Sequence, residues 1–156
     1  MPGTTFREDR IMKLYEIHNI RTASDLTISN LSASLNFNVT YYNYRSRCIY
    51  DDQCAFIYLN RNQPIEWIRY DFFHEMAHFF EHSNDQRFTH PHFVQYQERQ
   101  AHTFALYASM PRFILNQYLP SVESISELAE IFQLPESFVR KRMKWVQSYG
   151  AIKHHY

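Results

Sequence analysis

Apolar residues recur along this chain at two different periods, and the switches between them divide it into helices and one small sheet. From Thr5 to His18, Phe6, Ile11, Leu14 and Tyr15 fall at near-helical spacing, and Ile28 to Leu35 predicts a short second helix. Over Phe37 to Tyr44 alternation and aromatic residues predict a strand. Cys48 to Tyr50 and Ala55 to Leu59 then predict a hairpin turning about Asp51-Asp52. Beyond Asn62-Gln63-Pro64, where a proline suits a first helical turn, Ile65, Ile68, Phe72, Met76 and Phe79 form a stripe at steps of three and four. The polar stretch from Ser83 to His92 predicts a loop, and Phe93 to Ala108 a long helix that stops at Met110-Pro111.

The remainder predicts helices over Pro111 to Tyr118, Ser124 to Phe132 and Pro135 to Tyr149, the last closed by Gly150. Ser124 with Glu127 fits a reciprocal cap in which each side chain bonds the other residue's backbone N–H. The expected fold class is therefore α+β, mostly helical, with one small β-sheet. Two parts are expected: a core over 1–111 and a C-terminal helical subdomain over 112–156 that packs on it.

Composition narrows the functions. The 156 residues suffice for one ordinary core, and with 45% apolar residues a folded chain is expected. Only two glycines occur, which argues against a glycine-rich phosphate loop. Sixteen basic and sixteen acidic residues balance, so nucleic acid is not the expected primary partner. No apolar run is long enough to span a membrane, and no signal-like core follows the polar N-terminus, so a cytoplasmic location is expected. With a two-residue turn at Asp51-Asp52, Cys54 would face Ile49 and not Cys48, which predicts two free thiols.

The chemistry concentrates in His74-Glu75-Met76-Ala77-His78. On a helix, histidines four apart project from one face, and their ring nitrogens can reach one zinc ion at about 2.0–2.1 Å. Glu75, one step round, can take a proton from water activated by that ion, which is the chemistry of an HExxH motif. A catalytic zinc keeps three protein ligands and one open position, so a third ligand must come from elsewhere. His82 continues the series, yet eight residues of straight helix span about 12 Å, too far from His74 to share an ion. Position 84, where a metzincin places a histidine, is Asn84. Glu98 on the next helix is the favoured third ligand, reached if the two helices pair antiparallel. His102, one turn further, is a rival ligand or a group behind one. The strand Ala55, Phe56, Ile57, Tyr58, Leu59 and Asn60 is expected at a sheet edge, pairing with an extended substrate backbone. A tyrosine or histidine, His90 and His92 included, could stabilise the oxyanion.

Three stretches carry a family resemblance. FFHEMAHFFEH at 72–82, ERQAHTFALYASMP at 98–111 and the helix, strand and hairpin preceding them resemble the ImmA/IrrE metallopeptidases. The resemblance implies a zincin-like fold of the gluzincin type, zinc held by His74, His78 and Glu98, and Glu75 as general base. It further implies, as substrate, a helix-turn-helix repressor of phage or mobile-element genes, in a bacterial or phage-infected cell. His102 stands where the family usually has Asn or Asp, thought to orient a ligand histidine. Two other readings stand beside it: an antirepressor that binds without cleaving, and DNA contact through the C-terminal helices, where Arg140, Lys141, Arg142 and Lys144 cluster.

Overall fold

In the computed structural model, residues 5–81 and 91–148 are described, except for the side chains at positions 92, 147 and 148. Helix α1 (Phe6–Ile17) begins at Thr5, whose hydroxyl accepts from the Glu8 backbone N–H. A 3₁₀ turn, Ala23–Leu26, follows; Asp25 Oδ2 accepts from the backbone N–H groups of Arg21 and Thr22. Helix α2 (Ile28–Leu35) ends on Asn36 in the left-handed conformation, at φ 62°. Asparagine takes that conformation more readily than most residues, and here it turns the chain straight into strand β1 (Phe37–Tyr42).

Strands β2 (Arg47–Tyr50) and β3 (Ala55–Asn60) complete a sheet ordered β1-β3-β2, with β1 parallel and β2 antiparallel to β3. This overturns one expectation. The stretch Ala55 to Asn60 is the central strand and not an edge, so both sides of its backbone are taken by neighbours. The hairpin register also differs. Tyr50 pairs with Ala55, and the Asp51 N–H donates to the Cys54 carbonyl, so the turn centres on Asp52-Gln53. Asp51 Oδ1 accepts from the backbone N–H groups of Gln53 and Cys54, which fixes that position and lowers the Asp51 pKa. Cys48 lies opposite Ile57, and both cysteines are free thiols.

Helix α3 (Ile65–Glu81) packs on the sheet's inner face, where Ala55, Ile57 and Leu59 are fully buried. Its apolar surface is broader than a single stripe. Phe73 and Ala77 are buried together with Ile68, Phe72 and Met76, whereas Ile65 is half exposed. Phe37 locks the start of β1 to this helix through edge contacts with Phe72, Phe79 and Phe80. Helix α4 (Pro91–Ser109) lies against α3, with Phe104 stacked on Phe80 at 5.6 Å. On its other side the buried Tyr15 hydroxyl of α1 donates to the Ala108 carbonyl at 2.6 Å.

Helices α5 (Arg112–Tyr118), α6 (Ile125–Phe132) and α7 (Glu136–Ser148) follow. Ser124 caps α6 by accepting from Glu127 N–H, as expected, but Glu127 reaches the backbone of Glu123 and not of Ser124. Gln133 ends α6 in the left-handed region, and the Arg69 guanidinium of α3 donates to the carbonyls of Phe132 and Gln133. Leu128, Phe132, Phe138, Val139, Met143 and Val146 join the same hydrophobic core as α3 and α4. Arg142, one of the cations clustered for DNA contact, is instead buried; its Nε donates to the Met110 carbonyl and its Nη2 meets Glu8 at 3.5 Å. Among the described residues no helix is long and apolar enough to cross a membrane. The Ser83 to His92 loop and His82 fall, apart from position 91 and the backbone of position 92, outside the described residues, as does the Gly150 helix end.

Candidate metal centre

Tyr70, His74 and His78 occupy successive turns of one face of α3, and that face is turned toward α4. The pairing of the two helices is antiparallel. Tyr70 meets His102, and one turn further along α3 His74 meets Glu98, one turn back along α4.

Three side chains converge there. His74 Nε2 lies 3.1 Å from Glu98 Oε2, His78 Nε2 lies 3.1 Å from Glu98 Oε1, and the two ring nitrogens are 3.2 Å apart. The histidine side chains are 20% and 15% exposed, and Glu98 is 44% exposed. The cluster is thus walled by protein on the α3 side and open beside Glu98.

The spacing has a chemical consequence. Each neutral imidazole can carry its one N–H on Nε2 and donate it to a separate Glu98 oxygen, which leaves the two ring nitrogens facing each other at 3.2 Å. A divalent ion satisfies all three together: tetrahedral ligands about 2.0–2.1 Å from zinc stand about 3.3–3.4 Å from one another. The donor set, two nitrogens and one carboxylate oxygen, suits such an ion. His74, His78 and Glu98 are the one group of histidine, cysteine and carboxylate side chains among the described residues close enough to share one.

Electrostatics agree with a cluster that holds positive charge. The hydrogen bonds from His74 and His78, ahead of the opposing effect of burial, hold Glu98 well below the usual carboxylate range. For His74, burial is the largest single influence and pulls its pKa down. The Glu98 hydrogen bond and the charges of Glu75, Glu98 and Asp71 together outweigh it, and the net shift is upward. Glu75, buried one step round the helix, is pushed up to about 7, chiefly by burial; the nearby His74 and His78 oppose this and Asp71 and Glu98 add to it.

His102, the rival third ligand, stands outside this cluster. Its Nε2 lies 3.3 Å from Lys141 Nζ on α7 and its Nδ1 lies 3.5 Å from the Tyr70 hydroxyl. An ammonium only donates, so Nε2 is the acceptor and the ring proton sits on Nδ1. Burial, followed by the charges of Lys141 and His74, lowers the His102 pKa and keeps the ring neutral. Nor does His102 orient His74 by a hydrogen bond, since His74 Nδ1 is buried without a hydrogen-bond partner among the described residues.

The residues Phe56, Tyr58 and Asn60 lie in the central strand on the face of the sheet away from α3, and Ala55, Ile57 and Leu59 lie in the core beneath it. None of the six joins the cluster. Strand β2 feels the site: the Glu75 charge acts on Cys48, whose thiol is pushed up to about 12, mainly by burial. The free edge of β2 pairs with no strand among the described residues. His90 and the side chain of His92 lie outside the described residues. Tyr70, Phe138 and Lys141 were not singled out as site residues from the sequence, although Tyr70 carries a readable signal. It precedes His74 by four residues on a helix, which places the two rings on one face.

A family-wide sequence profile, described as the IrrE N-terminal-like domain of a peptidase family, matches residues 34–144, more than two thirds of the chain. No curated protein matches it.

Proposed function

The chain belongs to the peptidase family defined by the IrrE N-terminal-like domain, and from that premise we propose that it is a zinc-dependent endopeptidase. The observation that carries this reading is the convergence of His74, His78 and Glu98 with a buried Glu75 beside them. A bound zinc ion supplies Lewis acidity, polarising the scissile carbonyl and acidifying water. The protein residues supply the rest. His74 and His78 hold the ion from successive turns of α3, and Glu98 holds it from α4. Glu75 accepts a proton from the attacking water and passes it to the leaving amine. Its pKa near neutrality in the ion-free protein suits a group that must both take and return a proton. The open side next to Glu98 admits substrate. An extended peptide would pair with the free edge of β2, the strand that runs beside Glu75, and not with β3.

The substrate we propose is a helix-turn-helix repressor of phage or mobile-element genes, and the setting a bacterial or phage-infected cytoplasm. The resemblance of the stretches 72–82 and 98–111 supports this reading. The test is incubation of the zinc-loaded protein with the repressor encoded beside its gene. Wild type is expected to yield discrete repressor fragments, and Glu75→Gln to yield none while still binding zinc. Intact repressor with both proteins would remove the proteolytic reading, and tight binding without cleavage would leave a binding antirepressor in its place.

A further inference from the structure

The His74 ring lacks the device that usually aims a metal-binding imidazole. Such a ring commonly donates its second N–H to a carboxylate, a carbonyl or water, and this bond fixes both tautomer and orientation. In this protein His74 Nδ1 is buried with no hydrogen-bond partner among the described residues, although Nε2 faces Glu98 at 3.1 Å. Something else must hold the ring.

The geometry points to Tyr70 as the positioning residue for His74, acting through its ring face and held in turn by helix α7. Tyr70 lies almost parallel to His74, with planes 19° apart and centroids 6.0 Å apart. His78 closes the other approach, edge-on at 4.8 Å. The imidazole is therefore confined by a flat wall on one side and an edge on the other, which leaves little freedom of rotation. This inference rests on the zinc-site reading above and concerns how that site is kept in shape.

Tyr70 is itself fixed from three directions. Phe138 of α7 stands perpendicular to it at 4.9 Å, and Trp67 meets it edge-on at 5.4 Å. Its hydroxyl lies 3.5 Å from His102 Nδ1, and His102 is gripped by Lys141 on one side and by the Phe138 ring, 5.7 Å away, on another. Phe138 thus touches both Tyr70 and His102. The C-terminal helix, which contributes no ligand, reaches the metal centre through two aromatic rings. The histidine at 102 fits this arrangement: it braces the tyrosine and makes no bond to the ligand ring.

The test compares Tyr70→Phe, Tyr70→Leu and Phe138→Leu with wild type, using zinc and cobalt ions alone as probes. Zinc affinity is measured by competition with a chromophoric chelator, and ligand geometry by the visible spectrum of the cobalt-loaded protein. Tyr70→Phe keeps the ring wall and is expected to retain wild-type affinity within about twofold. Tyr70→Leu is expected to bind zinc about tenfold or more weakly, with displaced cobalt bands. Phe138→Leu, which contacts no ligand, is expected to shift both readouts in the same direction by less, and it keeps the test decisive if Tyr70→Leu does not fold. A ring that merely filled space would lower thermal stability and leave the cobalt spectrum alone. An unchanged spectrum and affinity in Tyr70→Leu would overturn the proposal, as would a loss in Tyr70→Phe equal to that in Tyr70→Leu. Wild-type protein that takes up no zinc would instead contradict the metal centre, and with it this inference.

Discussion

Two buried or half-buried ionic clusters in this molecule look alike on paper and differ in what completes them. Glu8 and Arg142 join α1 to α7 in the core, where a five-donor guanidinium meets a carboxylate, the Met110 carbonyl and the face of Tyr107 at 4.9 Å. Burial pushes Arg142 down to about 10, which leaves it charged at neutral pH. A permanent donor meets its acceptors there, and the pair lies wholly in the core. His74, His78 and Glu98 instead bring two ring nitrogens and a carboxylate within 3.1–3.2 Å, held by imidazole N–H groups that each ring can give up. A guanidinium keeps its protons and closes its cluster, whereas imidazoles that release their Nε2 protons turn three groups into ligands for one cation.

The sharpest way to separate the two is to break each. Replacing Glu75 with Gln leaves both clusters in place and removes the base; peptide hydrolysis is expected to fall by at least about a hundredfold with metal content unchanged, measured by turnover and elemental analysis. Arg142→Ala strands Glu8 in the core and is expected to cost about 3–5 kcal/mol of unfolding free energy in denaturant titrations. Metal uptake at one ion per chain should survive in whatever fraction remains folded. His78→Ala should do the reverse: it should abolish stoichiometric zinc binding while the metal-free protein keeps its stability. Equal stability losses from Arg142→Ala and His78→Ala would erase the distinction.

The pH dependence should also divide metal-free from metal-bound protein. His74, raised in the ion-free fold, contributes stability that is fully present below the ordinary histidine value of 6.5 and lost as pH rises through its folded value. Glu98, depressed, contributes stability present above the usual carboxylate value of 4.5 and lost as pH falls through its folded value. Glu75, raised to about 7, adds a loss as pH rises from 4.5 to about 7, since its buried charge is unfavourable. The metal-free protein should therefore melt at a lower temperature at about pH 8 than at about pH 6. The increment that zinc adds should change the opposite way, because ligand histidines must shed protons to bind. Thermal melts with and without zinc at both pH values check this; parallel slopes would contradict it. The smallest expected effect is at Cys48. Its thiol, pushed up to about 12, should alkylate more slowly than Cys54, and Glu75→Gln should speed it slightly by removing the lesser of its two causes. Mass spectrometry after brief iodoacetamide treatment reads both rates.

How much of this was legible in the chain follows from what a periodicity encodes. The spacing of His74 and His78 on one helix depends on turns of helix that a sequence displays, whereas periodicity leaves Glu98 and His102 on one face of α4, and the preference for Glu98 leaned on the family resemblance. The C-terminal helices were legible for the same reason, from Leu128, Phe132, Phe138 and Val139. Strand order was not. Alternation assigns faces to residues, so Ile57 and Leu59 were readable as inward, but it does not say which strand lies in the middle, and β3 entered between β1 and β2. Arg142 was grouped with the cations of a DNA-contacting helix because charge predicts exposure; its burial brings it to Glu8, 134 positions away. The Asp52-Gln53 turn was displaced from Asp51-Asp52 because Asp51 spends its carboxylate on the turn's backbone, a local bond that hydropathy does not register. Left-handed positions were hidden as well, since this chain places Asn36 and Gln133 where glycine would have announced a helix end.

The account stands or falls on where a metal ion sits. Anomalous diffraction from crystals of the zinc-loaded protein, collected on either side of the zinc absorption edge, should show one peak per chain. That peak should lie about 2.0–2.2 Å from His74 Nε2, His78 Nε2 and an oxygen of Glu98, with His102 remote from it. A peak ligated by His102 in place of Glu98, or no peak between α3 and α4, would contradict the account.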